Sequence, residues 1–179
     1  MARIPLPTRD SLPEALQSRW DRTAERGPVL NIQRVFLSAP VIQLNALSAW
    51  RASGLEPRAR EFVILRCAFR KQSTYEWHQH VRIARDAGLS LAEIDAVRDW
   101  RNSPVFTEDE RALLAYADAL ADSLHPDDAS FAAVSRGRTT AEVIGVTYLV
   151  TLYFQLAHVM AALELETEEP FVGWELAGK

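Results

Sequence analysis

The chain has 179 residues, 48% hydrophobic and 25% charged, and a net charge of −4. That length and composition describe one ordinary globular domain, 1–179, able to bury a sizeable core. There is no basic surplus to favour nucleic acid or anionic lipid, and the single cysteine, Cys67, excludes an intrachain disulfide or an intrachain thiolate cluster.

The N-terminus, Met1 to Pro7, has no apolar run of signal-peptide length, and with the lone cysteine this points to the cytoplasm. Leu12, Leu16 and Trp20 recur at steps of four and predict a helix over 11–25, ended by Gly27-Pro28. Pro40 suits a first helical turn, and Leu44, Leu47 and Trp50 predict a helix over 41–52, with Gly54 at its end. Pro57 opens the next, Arg58 to Arg70, whose centre is apolar almost all round, as in a core helix. A helix over Thr74–Ala87 stops at Gly88. Ser90-x-x-Glu93, Thr107-x-x-Glu110 and Thr139-x-x-Glu142 are capping boxes for three more, with a short helix from Pro126 to Val134 between the last two. No segment alternates at period two, so the fold class is all-α, with about seven or eight helices.

Val143 to Leu163 contains 21 residues without Asp, Glu, Lys or Arg. That is long enough to span a bilayer, which needs roughly 20 apolar residues. Thr147, Thr151, Gln155 and His158 form one stripe along it, and a buried bundle helix would turn that stripe toward a pocket rather than toward lipid. No membrane partner is expected. The acidic tail, 167–179, carries Phe171 and Trp174 as candidate anchors.

The chemistry is concentrated in the stretch from Arg58 to Leu89. Glu61 lies on the predicted core helix, where a dry environment raises a carboxyl pKa and suits proton transfer; a salt bridge to Arg58 or Arg66, or exposure in the first turns, is the alternative. Glu76 and His80 are four apart and share a helix face, as an acid–base pair, as two metal ligands, or as an ordinary surface pair. Glu61, Glu76, His80 and His158 together would be a metal set, but their spacing matches no known metal signature. His78 points away from His80 and reads as solvated. Tyr75 and Trp77 read as core or as the wall of a small apolar pocket, and Cys67 as a buried inert thiol. Arg66 and Arg82 are candidate anchors for a substrate carboxylate.

These residues carry a resemblance. Arg-x-Arg-Glu-x-Val-Ile-Leu from Arg58, continued by Tyr-Glu-Trp-x-x-His-x-x-Ile-Ala-x-x-Ala-Gly-Leu from Tyr75, resembles the carboxymuconolactone decarboxylase family, which includes the alkylhydroperoxidase-D-like proteins. The family-like core would run over 39–165. The alkylhydroperoxidase-D-like branch uses Cys-x-x-Cys-x-x-x-His with a glutamate twelve residues before the first cysteine. On this sequence the glutamate falls on Glu61 and the histidine on His80, while Ser73 and Glu76 stand in the cysteine positions. Without those thiols, a dithiol peroxidase reaction lacks both its attacking and its resolving group. The resemblance implies an all-helical homo-oligomer (dimer, trimer or hexamer) and a cofactor-independent lyase acting on a small organic acid or lactone. Glu61, Glu76 and His80 would be its catalytic residues, and Ser73, Tyr75, Trp77 and His158 would line the substrate. His80 or a protonated Glu61 would donate the proton, and Glu76 would orient His80. The alternative is a non-catalytic oligomeric binding or stress-related protein of the same fold.

Overall fold

A computed structural model of the chain describes residues 3–39 and 46–168. All regular structure among them is helical: α1 (Glu14–Ala24), α2 (Asn31–Ser38), α3 (Ala46–Ser53), α4 (Pro57–Arg70), α5 (Thr74–Asp86), α6 (Leu91–Ala96), α7 (Glu108–Asp122), α8 (Asp128–Ser135) and α9 (Thr140–Ala162), with 3-10 turns at Arg9–Ser11 and Trp100–Asn102. The all-α expectation holds. α2 is an addition, because its eight residues lack a polar N-cap and its buried Ile32, Val35 and Leu37 are too few to mark a period.

The three capping boxes form as the sequence requires. Ser90, Thr107 and Thr139 each accept the backbone N–H of the glutamate three residues on, and each glutamate accepts the cap residue's own N–H in return. Asp127, not Pro126, starts α8, its carboxylate accepting Ser130 N–H at 2.8 Å. α6 ends at Ala96, before the 3-10 turn. The helix start expected at Pro40 and the expected tail anchors Phe171 and Trp174 lie outside the described residues.

α4 explains its own sequence. Val63, Ile64 and Cys67 face one core with Leu113, Tyr116, Leu149 and Val150, whereas Phe62, Leu65 and Ala68 face a second core with Trp77, Val81, Ile94 and Leu114. A helix packed on both sides must be apolar almost all round. Its buried cation, Arg66, forks onto Asp118 of α7 at 2.6 and 3.0 Å and donates to the carbonyls of Val97 and Arg98, so it is committed to the scaffold. Arg82 is exposed and bonds Gln79. Neither expected carboxylate anchor faces the site described below.

α9 is long and apolar enough to cross a membrane, yet it packs along α3 and α4 as the centre of the first core. Thr151, Gln155 and His158 lie on its exposed side, with Thr147 half-buried beside Tyr116, so the polar stripe faces outward rather than into a pocket. α3 and α9 meet at Gly145, where an added Cβ would stand 2.1 Å from Ala52 O and 2.5 Å from Ser53 N. The segment after α9 is tied back by Glu168, whose carboxylate accepts Asn31 N–H and Tyr75 O–H, both at 2.6 Å, and Gln79 Nε2–H.

Gly145→Ala is expected to force α3 and α9 apart and lower stability by about 1–3 kcal/mol or more. Urea denaturation measures this, and an unchanged midpoint would contradict the close approach.

Candidate active site

The site grows from the α4–α5 hairpin. Lys71 to Ser73 turn the chain, and the Ser73 side chain caps α5 by accepting Glu76 N–H at 3.4 Å. This fixes the register of α5 on α4 and sets His80 against Glu61. His80 Nδ1 and Glu61 Oε2 are 2.7 Å apart, Glu61 fully buried and His80 6% exposed. Arg60, the neighbouring residue on α4, donates from Nε to Glu61 Oε1 at 3.0 Å.

Two further helices close around this pair. Arg60 lies over the Trp50 ring of α3, 4.4 Å from its centroid. Trp50 Nε1 donates to the Tyr153 hydroxyl of α9 at 2.9 Å, and the Tyr153 ring meets His80 edge-on at 5.0 Å. Five side chains therefore form a closed circuit: His80, Glu61, Arg60, Trp50, Tyr153 and back to His80. Sequence reasoning named only the first two. The missed signal in Tyr153 was a phenol inside an apolar helix, which requires a hydrogen-bond partner once buried.

The two carboxyl groups are pushed in opposite directions. Burial drives Glu61 up, but His80 and Arg60 outweigh it and hold the group below the ordinary carboxyl range. Glu76 is only 3% exposed, and neither of its oxygens has a hydrogen-bond partner among the described residues. Burial raises its pKa well above the ordinary range, against a weaker downward pull from the Ser73 hydroxyl. The expected raised pKa thus belongs to Glu76 and not to Glu61, and Glu61, not Glu76, orients His80. Burial also keeps the Tyr153 phenol and the Cys67 thiol protonated, and the nearby Glu76 adds to both effects.

The remaining expected residues scatter. Tyr75 packs in the first core with its hydroxyl on Glu168 and Ile32 N–H, and Trp77 fills the second core beneath Arg98. Ser73 is the α5 cap, adjacent to Glu76. His158 bonds the carbonyl of Phe154 from the exposed side of α9, so it joins neither the His80–Glu61 pair nor a metal set with Glu61, Glu76 and His80. No group of three metal-ligating side chains forms among the described residues. His78 is buried, contrary to the solvated expectation.

Residues 38–119 match the model of the carboxymuconolactone decarboxylase family, which bears out the resemblance read from Arg58 to Leu89. Solved structures share the fold. A peroxidase-related protein from Ralstonia eutropha JMP134, an alkylhydroperoxidase AhpD core, is 18% identical with a TM-score of 0.79, covering 95% of this chain and 94% of its own. A protein of unknown function from Agrobacterium tumefaciens, a putative antioxidant defence protein AhpD, is 22% identical with a TM-score of 0.67, covering 94% and 99%. The debrominase Bmp8, as a Cys-to-Ala variant with 2,3,4-tribromopyrrole, is 16% identical with a TM-score of 0.75, covering 94% and 92%. No curated protein sequence matches. The chain is thus similar to the carboxymuconolactone decarboxylase family over residues 38–119 and shares the helical fold of alkylhydroperoxidase-D-like structures.

The raised Glu76 carboxyl has a thermodynamic signature. The folded state holds its proton more tightly than the unfolded chain, so the group's contribution to stability is present below the ordinary value of 4.5 and is lost as pH rises toward the folded pKa. Glu76→Gln, uncharged at every pH, is expected to gain stability over wild type as pH rises from 5 to 8. Denaturant midpoints at both pH values check this, and a pH-independent difference would contradict the burial of an unpaired acid.

Proposed function

We propose that the protein is a cofactor-independent lyase acting on a small organic acid or lactone by proton transfer. The observation that supports this reading is the opposed pair of carboxyl groups beside one histidine: ionised Glu61 on His80, and neutral Glu76 with no partner. Neighbouring groups whose environments drive their proton affinities apart are how one site holds an acid and a base at the same pH.

With Nδ1–H donated to Glu61, His80 presents a bare Nε2 as base. Loss of carbon dioxide leaves an electron pair on carbon, which an adjacent carbonyl delocalises and a proton then quenches. Glu76 is the donor for that proton. Glu61 and Arg60 keep His80 in the required tautomer. A dithiol peroxidase reaction is disfavoured, because Ser73 and Glu76 occupy the two cysteine positions and burial keeps the Cys67 thiol protonated.

We also propose a homo-oligomer in the cytoplasm, with a small-molecule substrate and no nucleic-acid or membrane partner. The exposed apolar side chains of Phe131, Ile144 and Tyr148 on α8 and α9 support self-association.

A panel of small β-keto acids and carboxylated lactones, assayed by carbon dioxide release, tests the reading. On the substrate found, His80→Ala is expected to lower turnover by roughly 10²-fold or more. Peroxide reduction with a dithiol donor is expected to stay at background. Unchanged turnover in His80→Ala, or peroxidase activity abolished by Cys67→Ser, would overturn it.

A further inference from the structure

We propose that Tyr153 is a further catalytic residue, whose phenol donates a hydrogen bond to the carbonyl oxygen of the substrate, so that the site selects a planar carbonyl compound deprotonated or protonated at the adjacent carbon. This rests on the proton-transfer reading above and names the substrate feature that reading leaves open.

The argument begins with hydrogen-bond capacity. Indole N–H only donates, so in the bond from Trp50 Nε1 the Tyr153 hydroxyl must accept. Its own hydrogen has no acceptor among the described residues. The other two buried tyrosines differ, since Tyr75 donates to Glu168 and Tyr116 shares a 2.9 Å bond with Thr147. A buried phenol proton without an acceptor is costly unless something else fills the place.

Two more unfilled groups surround it. His80 Nδ1 is taken by Glu61, which leaves Nε2 open on the ring that Tyr153 contacts. Glu76 lies one turn before His80 on α5, with both oxygens unpartnered. It is close enough to Tyr153 to act on it electrostatically, as is Glu61. The unfilled groups on α5 and α9 are thus one acceptor and two donors. The only cation in the circuit, Arg60, is already spent on Glu61 and Trp50. Such a set fits a neutral carbonyl group with an acidic C–H beside it.

The step balances within the site. His80 Nε2 takes the proton from carbon, the C–H electron pair becomes the C=C bond, and the carbonyl π pair moves to oxygen. That oxygen accepts a hydrogen bond from Tyr153, and the Glu76 acid keeps its proton for the carbon. The reverse sequence returns the proton to carbon, and no oxidant or further reactant is consumed. Trp50 is a positioning residue: it occupies the phenol's lone pair and so aims the phenol's hydrogen away from α3.

The probe is 4-nitrophenolate, a planar oxyanion whose binding is followed by its visible absorbance. Wild type is expected to bind it, and Tyr153→Phe to bind it at least about 10-fold more weakly, as for loss of one hydrogen bond to a charged acceptor. His80→Gln is expected to lose turnover, because His80 is the base. In wild-type protein labelled at tyrosine Cζ, saturation with the probe is expected to shift one carbon resonance that Tyr153→Phe lacks, a readout that does not depend on the variant being stable. Binding unaffected by Tyr153→Phe, or no shifted tyrosine resonance at saturation, overturns the role of the phenol whatever His80→Gln does. Wild-type turnover in His80→Gln discards the proton-transfer reading whatever Tyr153→Phe does.

Discussion

The 2.7 Å hydrogen bond from His80 to Glu61 is the interaction on which the rest of the site depends. A carboxylate with no solvent exposure is tolerable only if its charge is answered on the spot. Arg60 answers it with its own charge and His80 with a donated hydrogen bond, and that requirement fixes α5 on α4. The circuit then passes from Arg60 to Trp50 on α3 and from Trp50 to Tyr153 on α9. Those two helices come together because residue 145 has no side chain to hold them apart. A backbone contact at the end of α3 thereby determines which aromatic residue faces the imidazole. The Arg66–Asp118 fork braces the opposite side of α4, so the helix carrying Glu61 is clamped from both cores.

Against this answered charge stands Glu76, one helical turn from His80 and left without a partner. In water the two glutamates would behave alike. Their separation is environmental, produced by an ion pair in one case and by dehydration in the other. The substitution pattern gains a physical meaning from this. Where the related dithiol sequence pattern has its second cysteine, this chain places a group that still carries a transferable proton but cannot form a disulfide. Ser73, in the first cysteine position, has become a helix cap. Glu61 and His80 stand at the glutamate and histidine positions of that pattern, with no thiol beside them.

The sequence made much of this legible, and its failures share a cause. Helix starts were readable because Ser90, Thr107 and Thr139 act locally on backbone donors within one turn. Glu61 and His80 were readable because their spacing repeats a known pattern. Helical periodicity tells which residues share a face, but not which neighbour that face meets. Glu76 and His80 do share a face, yet the partner of His80 comes from α4, nineteen residues back. The stripe ending at His158 was a coherent face, but it lies outward, and Tyr153 looks inward from the other side of the same helix. His78 read as solvated from its position opposite His80, yet it is buried. The sign of the Glu61 shift depended on Arg60 and His80 together, a tertiary arrangement that no periodicity encodes.

The central claim is that two buried glutamates beside one histidine hold opposite protonation states. Carbon NMR of protein labelled at the glutamate carboxyl carbon tests it most directly, with Glu61→Gln and Glu76→Gln assigning the two resonances. The Glu76 carbon is predicted to keep the chemical shift of a protonated acid at neutral pH, and the Glu61 carbon to keep that of a carboxylate to below the ordinary glutamate range. If both carbons titrate together near the ordinary value of 4.5, the account is contradicted.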